Sequence, residues 1–411
     1  MDQVPATATQ IAVDDASPFF SPVLTPASQR ILVPELIGAF LDALMHEMGF
    51  NENVTMIDRE LLNIAQCSRL FQEEAERRLY TSVKFFVGST RARDLATVMR
   101  ARTAKYVRYL KIFNYGAARG RGDTSIFSVA GIPFSLMTGL DGIEVHFAHA
   151  RKGDDIAPYD DRLFQILDRD LQDNILKGFR CAHPLSRSCV PFLSRQRTLE
   201  VLQINLISIE PVPTEDVVNR ATFPKLTTII GSIIDSPSLS SIIERSAIQY
   251  FTPLHTFGLS PGWSSYSHQL ITLDVAHCQA LDPSTVEEVA RCSPRLQLFM
   301  VKLDHQWEEK KINIFDRLTQ LAHLEVVGIL PEPSTFNDYF ISTVGHIRAC
   351  KGLRSLVIVV STGETNQFCG IEMQRTVRKA WTQTTPGVID IIGWKAKHVE
   401  RIELSRKKTA A

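Results

Sequence analysis

The sequence predicts an α/β chain in two parts: a small helical module near the N-terminus, then a longer array of short strands alternating with helices. Three observations predict it. Two apolar runs at helical spacing sit between Ile31 and Val83, short aliphatic runs of strand length recur from residue 105 onward, and amphipathic segments fill several gaps between those runs. At 411 residues and 44% hydrophobic content, the chain can fill two or three domains, or one small module plus a repeat array.

Residues 1–29 are rich in Ala, Thr, Ser, Pro, Gln and Asp. Such a composition buries too little apolar surface to offset its ordering entropy, so a disordered tail is expected. Ser17-Pro18, Ser21-Pro22 and Thr25-Pro26 make it a candidate for proline-directed phosphorylation, although Pro-rich tails carry such pairs by composition alone. The helical module spans 30–83. In its first run Leu36, Ile37, Phe40, Leu41 and Leu44 form one apolar stripe, and Pro34 suits the first turn, where its missing N–H costs nothing. In the second run Leu61, Leu62, Ile64, Ala65, Leu70 and Phe71 keep helical spacing while Asn63, Gln66, Ser68, Arg69, Gln72 and Glu73 supply the polar face. A third helix is expected over Glu74–Tyr80. Helices this short bury little surface alone and need one another.

Val33-Pro34-Glu35-Leu36, the run Leu61-Leu62-Asn63-Ile64-Ala65-Gln66-Cys67-Ser68-Arg69-Leu70-Phe71 and the closing Arg78-Leu79-Tyr80-Thr81-Ser82-Val83 together resemble the F-box, in its fungal form. The F-box is the helical module by which substrate receptors join cullin-type ubiquitin ligases. The resemblance implies that Pro34, Leu36, Ile37, Phe40, Leu41, Leu44, Leu62, Ala65, Cys67 and Phe71 face the adaptor of such a ligase. A plain helical cap on the body is the alternative for this segment.

Over 84–405 the strand-like runs are Val107–Phe113, Ile143–Phe147, Leu199–Leu206, Leu226–Ile230, Leu254–Leu259, Leu270–Val275, Leu296–Leu303, Leu321–Val327, Leu353–Val360 and Val399–Leu404. Helices are expected over Asp161–Arg180, Thr214–Arg220, Ser284–Cys292, Phe336–Ala349 and Ile371–Thr382. Leu199-x-x-Leu202-x-Ile204, Leu270-x-x-Leu273-x-Val275 and Leu353-x-x-Leu356-x-Ile358 share a Leu-x-x-Leu-x-aliphatic pattern. The body thereby resembles a divergent leucine-rich-repeat solenoid, which implies a curved parallel sheet whose outward strand positions form one concave wall. A nonrepetitive α/β domain is the alternative. Residues 406–411 read as a basic tail.

Equal numbers of basic and acidic residues, 45 each, give no excess charge to draw nucleic acid or an anionic membrane. Arginines concentrate between Arg77 and Arg121 among Tyr80, Phe85, Phe86, Tyr106 and Tyr109, but those aromatics fall where strand cores belong. Seven scattered cysteines without a C-x-x-C fit buried thiols in a reducing compartment. No run approaches the roughly 18 apolar residues of a membrane span, so a cytoplasmic or nuclear location is expected. His146 and His149 point to opposite faces of a strand, Cys181, His183 and Cys189 lack zinc spacing, and the 116–123 glycine-rich loop lacks a phosphate-loop ending. No nucleophile elbow or carboxylate pair can be named, so no catalysis, metal or cofactor is expected. Trp263, Trp307, Trp381 and Trp394 are candidates for substrate contact or for the core. The expected function is that of a substrate receptor of a cullin-type ubiquitin ligase, holding a protein substrate on the repeat wall. A repeat scaffold unconnected with ubiquitin is the second reading, and an enzyme the third.

Overall fold

A computed structural model of the chain describes residues 36–41, 54–114, 128–147, 157–181, 189–204, 223–231, 246–253, 257, 263–304, 306–310, 312–331, 345–361, 368–375, 381–383, 387–388 and 391–410. The tail expected over 1–29, Pro34, Leu44, the 116–123 loop, His149, His183 and the helix expected over Thr214–Arg220 lie outside those residues. Met1–Leu79 forms one compact unit and Tyr80–Ala411 a second.

In the first unit residues 36–41 are helical (α1), followed by α2 (Val54–Ala65) and α3 (Arg69–Leu79). Ile37, Leu41, Leu61 and Ala75 make its core, with Ile64, Ala65, Phe71 and Leu79 packed against them. The run from Leu61 to Phe71, expected as one helix, is two. The Gln66 and Cys67 N–H groups donate to the Asn63 and Ile64 carbonyls at 3.1 and 3.0 Å, closing α2 in a turn. Ser68 Oγ then accepts from the Phe71 N–H at 3.3 Å and starts α3, so the third helix begins earlier than the expected Glu74. Arg78 ties α3 to α1 by donating to the Gly38 carbonyl at 2.7 Å.

The second unit is built on a sheet whose strands follow chain order. Eleven of the described strands run parallel: β1 (Ser82–Val87), β2 (Tyr109–Asn114), β3 (Gly142–Phe147), β4 (Gly178–Cys181), β5 (Val201–Ile204), β6 (Thr228–Gly231), β7 (Tyr250–Thr252), β8 (Thr272–Asp274), β9 (Leu298–Leu303), β10 (Val326–Pro331) and β11 (Ser355–Ser361). Their first residues share one register, from Ser82 through Tyr109, Gly142, Gly178 and Val201 to Ser355. A parallel neighbour at every step requires a crossover after every strand, so each strand with its return is one repeat.

The repeat code is carried by three buried positions per strand. Two residues before β2 to β11 stands Val107, Leu140, Leu176, Leu199, Leu226, Ile248, Leu270, Leu296, Leu324 or Leu353, each buried. The second position counted from the strand start, such as Leu110, Phe179, Leu273 or Leu356, and the fourth, such as Ile112, Cys181, Ile358 or, just past the end of β8, Val275, point to the same core. This is the Leu-x-x-Leu-x-aliphatic pattern, and with the parallel stack it gives the body a leucine-rich-repeat-like architecture.

Helices of the returns close the core: α4 (Thr90–Val98), α5 (Ala157–Asp170), α6 (Cys189–Ser194), α7 (Trp263–Ser267), α8 (Pro283–Cys292), α9 (Gln306–Glu309) and α10 (Ile314–Leu318). Phe164 of α5 meets Phe179 of β4 and Phe192 of α6 with ring centroids 6.2 and 6.4 Å apart. Asp282 caps α8 by accepting from the Ser284 and Thr285 N–H groups at 2.8 and 3.0 Å. Burial alone would raise its carboxyl, but these bonds and those of the two hydroxyls bring it down to about 2.

Several expected elements differ. The helix expected over Asp161–Arg180 stops at Asp170, and β4 occupies its last part; Leu176 and Phe179 are repeat positions, not a helical stripe. The strand expected over Leu254–Leu259 lies, apart from Phe257, outside the described residues; β7 precedes it, set by Ile248 and Phe251, and Leu321 and Leu324 are buried before β10, not in it. Of the expected Phe336–Ala349 helix, residues 345–349 form a 3-10 turn. The expected Ile371–Thr382 helix is the strand β12 (Phe368–Arg375), antiparallel to β11, with β13 (Trp381–Gln383) and β14 (Gly387–Val388) paired to it. These strands end the parallel stack and cover the edge of β11. The expected Val399–Leu404 strand and most of the expected tail are one helix, α11 (Ile391–Ala410). Trp394, His398 and Ile402 are buried at its i, i+4 and i+8 positions while Leu404 is half exposed, which is a helical and not an alternating pattern.

Candidate interaction surfaces

In the first unit the apolar stripe of α1 is split. Ile37 and Leu41 turn inward, while Leu36 and Phe40 are 58% and 55% exposed, and Leu62 of α2 is 54% exposed. Phe40 meets Phe71 edge-on at 6.4 Å, and Cys67 is exposed in the turn after α2. Of the sequence-derived adaptor-facing residues, Leu36, Phe40, Leu62 and Cys67 thus lie at the surface. Ile37 and Leu41 are core, Ala65 and Phe71 half-buried against it, and the remaining two lie outside the described residues. Three large apolar side chains left at the surface of so small a unit make it a candidate contact surface.

In the second unit the sheet has a helix-packed face and an opposite face, and the opposite face is divided. From β7 to β12, α11 lies across it. Trp394, Ile402 and half-buried Val399 pack on Ile271, Leu298, Met300, Val326, Val357 and Val359. Trp394 Nε1 donates to Glu372 at 3.1 Å, Arg406 to the Gln249 side chain at 2.7 Å, and Lys395 to Thr252 at 3.3 Å and to Asp274. His398 sits beside Ser355 at 3.3 Å. Burial pushes its imidazole down to about 4, helped by Arg401 and Lys397 and opposed by Glu372. The Tyr250 hydroxyl is pushed up to about 12, first by burial and then by Glu403 of the same helix.

From β1 to β5 the same face carries polar and aromatic side chains. Phe86, Phe113 and His146 stack across three strands at 4.8 and 4.7 Å, with Phe86 46% exposed. Lys111 and His146 each reach Glu144 at 2.7 Å; burial would raise that carboxyl, but their hydrogen bonds hold it below its ordinary range. Tyr109 stands 54% exposed over Gly142. Phe86 and Tyr109, expected in strand cores, therefore belong to the surface; their place one residue away from the buried Phe85 and Leu110 was the signal, since strand neighbours face opposite ways. Of the tryptophans that are candidates for substrate contact or for the core, Trp263, Trp307 and Trp394 are buried, Trp307 donating to the Leu281 carbonyl at 2.7 Å. Among the described residues no group of three or more His, Cys, Asp or Glu could hold a metal ion, and no helix is long and apolar enough to cross a membrane.

No family model and no curated protein matches the sequence. Among solved structures, an internalin from Listeria monocytogenes is similar at 12% identity with a TM-score of 0.31, covering 75% of this chain and 91% of that one. At that level of superposition the repeat assignment rests on this chain's own strand register and buried code.

Proposed function

We propose that the chain is a non-catalytic substrate receptor of a cullin-type ubiquitin ligase, the first unit docking the ligase adaptor and the repeat unit holding a protein substrate. The observation that carries the reading is the exposure of Leu36, Phe40 and Leu62 beside a core of Ile37, Leu41 and Leu61, on a segment that resembles an F-box. Tethering would then supply the rate, because a bound substrate meets the ubiquitin donor at high effective concentration. Co-purification tests it. Wild type should capture the adaptor and Phe40→Asp with Leu62→Asp should not, while thermal unfolding of the repeat unit stays unchanged. A wild-type chain that fails where a known F-box protein binds would leave the second reading, a leucine-rich-repeat interaction scaffold unconnected with ubiquitin.

A further inference from the structure

The uncovered part of the sheet face has a binding hollow of its own. A cavity of about 460 Å³ opens over β2 to β5. Tyr109 forms one wall, Val201 the opposite one, and Lys111, Glu144 and Arg180 stand along its side. Its floor is bare backbone, because Gly142 and Gly178 occupy adjacent outward positions in register with Tyr109 and Val201. A Cβ placed on Gly178 would meet nothing within 4 Å. Glycine inside a strand weakens the sheet and leaves room for another chain to approach its backbone.

The charge of this face is unbalanced in one direction. Lys84, Lys111, Glu144 and Arg180 form one cross-strand row. Both Glu144 oxygens are engaged, by Lys111 and by His146, and Arg180 is exposed without an ion pair among the described residues. In the neighbouring row Asp141 is held between Arg108 at 3.7 Å and Lys177 at 2.9 Å, and exposed Glu200, which also lines the hollow, balances the second cation, so the excess lies with Lys84 and Arg180. What is left uncompensated is cationic, beside exposed aromatic rings. Across β7 to β12 the face is already occupied by a helix bearing a tryptophan, so binding a peptide segment continues what the chain does to itself.

We propose that the β1–β5 face binds an acidic, aromatic-containing segment of a partner protein, its backbone over Gly142 and Gly178, a carboxylate taken by Arg180 and an aromatic side chain against Tyr109. Arg180 suits the role because its planar fork meets a carboxylate with two parallel hydrogen bonds. Spread along a row, not converged on one point, the cations match several carboxylates and not one phosphate. The inference rests on the repeat unit being a partner-binding surface and is independent of adaptor docking.

The test is fluorescence anisotropy of the full chain with a labelled glutamate–tyrosine copolymer as probe. Wild type should bind it more tightly than a lysine–tyrosine copolymer, and more weakly as salt rises. Arg180→Glu and Gly178→Leu should each weaken binding by about tenfold or more, with an unchanged unfolding midpoint for Gly178→Leu. Lys310→Glu, an exposed change on the connection between β9 and β10, should have no effect. Absence of wild-type binding, binding only to a phosphotyrosine-containing copolymer, or equal loss in Lys310→Glu would overturn the proposal. Should Gly178→Leu fail to fold, Arg180→Glu decides alone. Adaptor capture is read separately, so the two proposals fail independently.

Discussion

Lys395 of the C-terminal helix forms an ion pair with Asp274 at the end of β8, a carboxylate whose side chain is 3% exposed. Between them in sequence lie more than a hundred residues, so this pair is one of the contacts that fix α11 onto the sheet. Asp274 also accepts from the Ala276 N–H at 3.1 Å, a second contact that fixes its orientation.

Removing the lysine leaves a buried carboxylate with its charge unmatched. Lys395→Met is expected to destabilise the docked helix by about 3 kcal/mol, and adding Asp274→Asn is expected to restore at least half of that. Urea denaturation followed by tryptophan fluorescence checks it, since Trp394 lies one residue from the pair. Additive losses in the double variant would show that the two groups do not interact.

His398 makes helix docking sensitive to acid. Its folded pKa lies near 4, below the ordinary value of 6.5, so the released helix binds the proton more readily than the docked one. The stability this imidazole contributes is complete above about pH 6.5 and is lost as pH falls through about 4, a difference of up to about 3 kcal/mol. Trp394 fluorescence titrated over that window should report undocking in wild type. In His398→Leu the change in that window should shrink, and an unaltered profile would show that this imidazole does not govern docking.

Gly328 leaves space that Met300 fills beneath α11. A Cβ at this position would collide with the Met300 Sδ and press on Val357 at 3.3 Å. Gly328→Ala is expected to cost about 1–3 kcal/mol by overpacking, and Met300→Ala in the same chain to relieve part of it. A coupling energy near zero in a double-mutant cycle by urea denaturation would contradict this packing.

The strands were legible where aliphatic residues filled the repeat code, as in Leu270-x-x-Leu273-x-Val275, and lost where they did not. β4 was hidden because Phe179 and Cys181 replace the usual aliphatics and Leu167, Leu171 and Leu176 extend a helical stripe into it. α11 was hidden because Val399, Ile402 and Leu404 look strand-like locally, although the partner that makes it a helix lies in β8 to β11. Those strands did carry a trace of the cover: Leu298–Leu303 and Ser355–Ser361 are apolar at neighbouring positions, as strands buried on both faces are. In α1 the stripe was legible but its sides were not. Periodicity groups Leu36, Ile37, Phe40 and Leu41; only the packing of α2 and α3 decides that Ile37 and Leu41 turn inward.

The central claim, that the first unit is the adaptor-docking element, is tested most directly by hydrogen–deuterium exchange of the full chain with and without the purified adaptor. The account predicts adaptor-dependent protection in residues 36–41 and Val54–Ala65, lost in Phe40→Asp with Leu62→Asp, and unchanged exchange in the strands β1 to β11. Protection appearing on the repeat strands instead, or none anywhere at saturating adaptor, would contradict it.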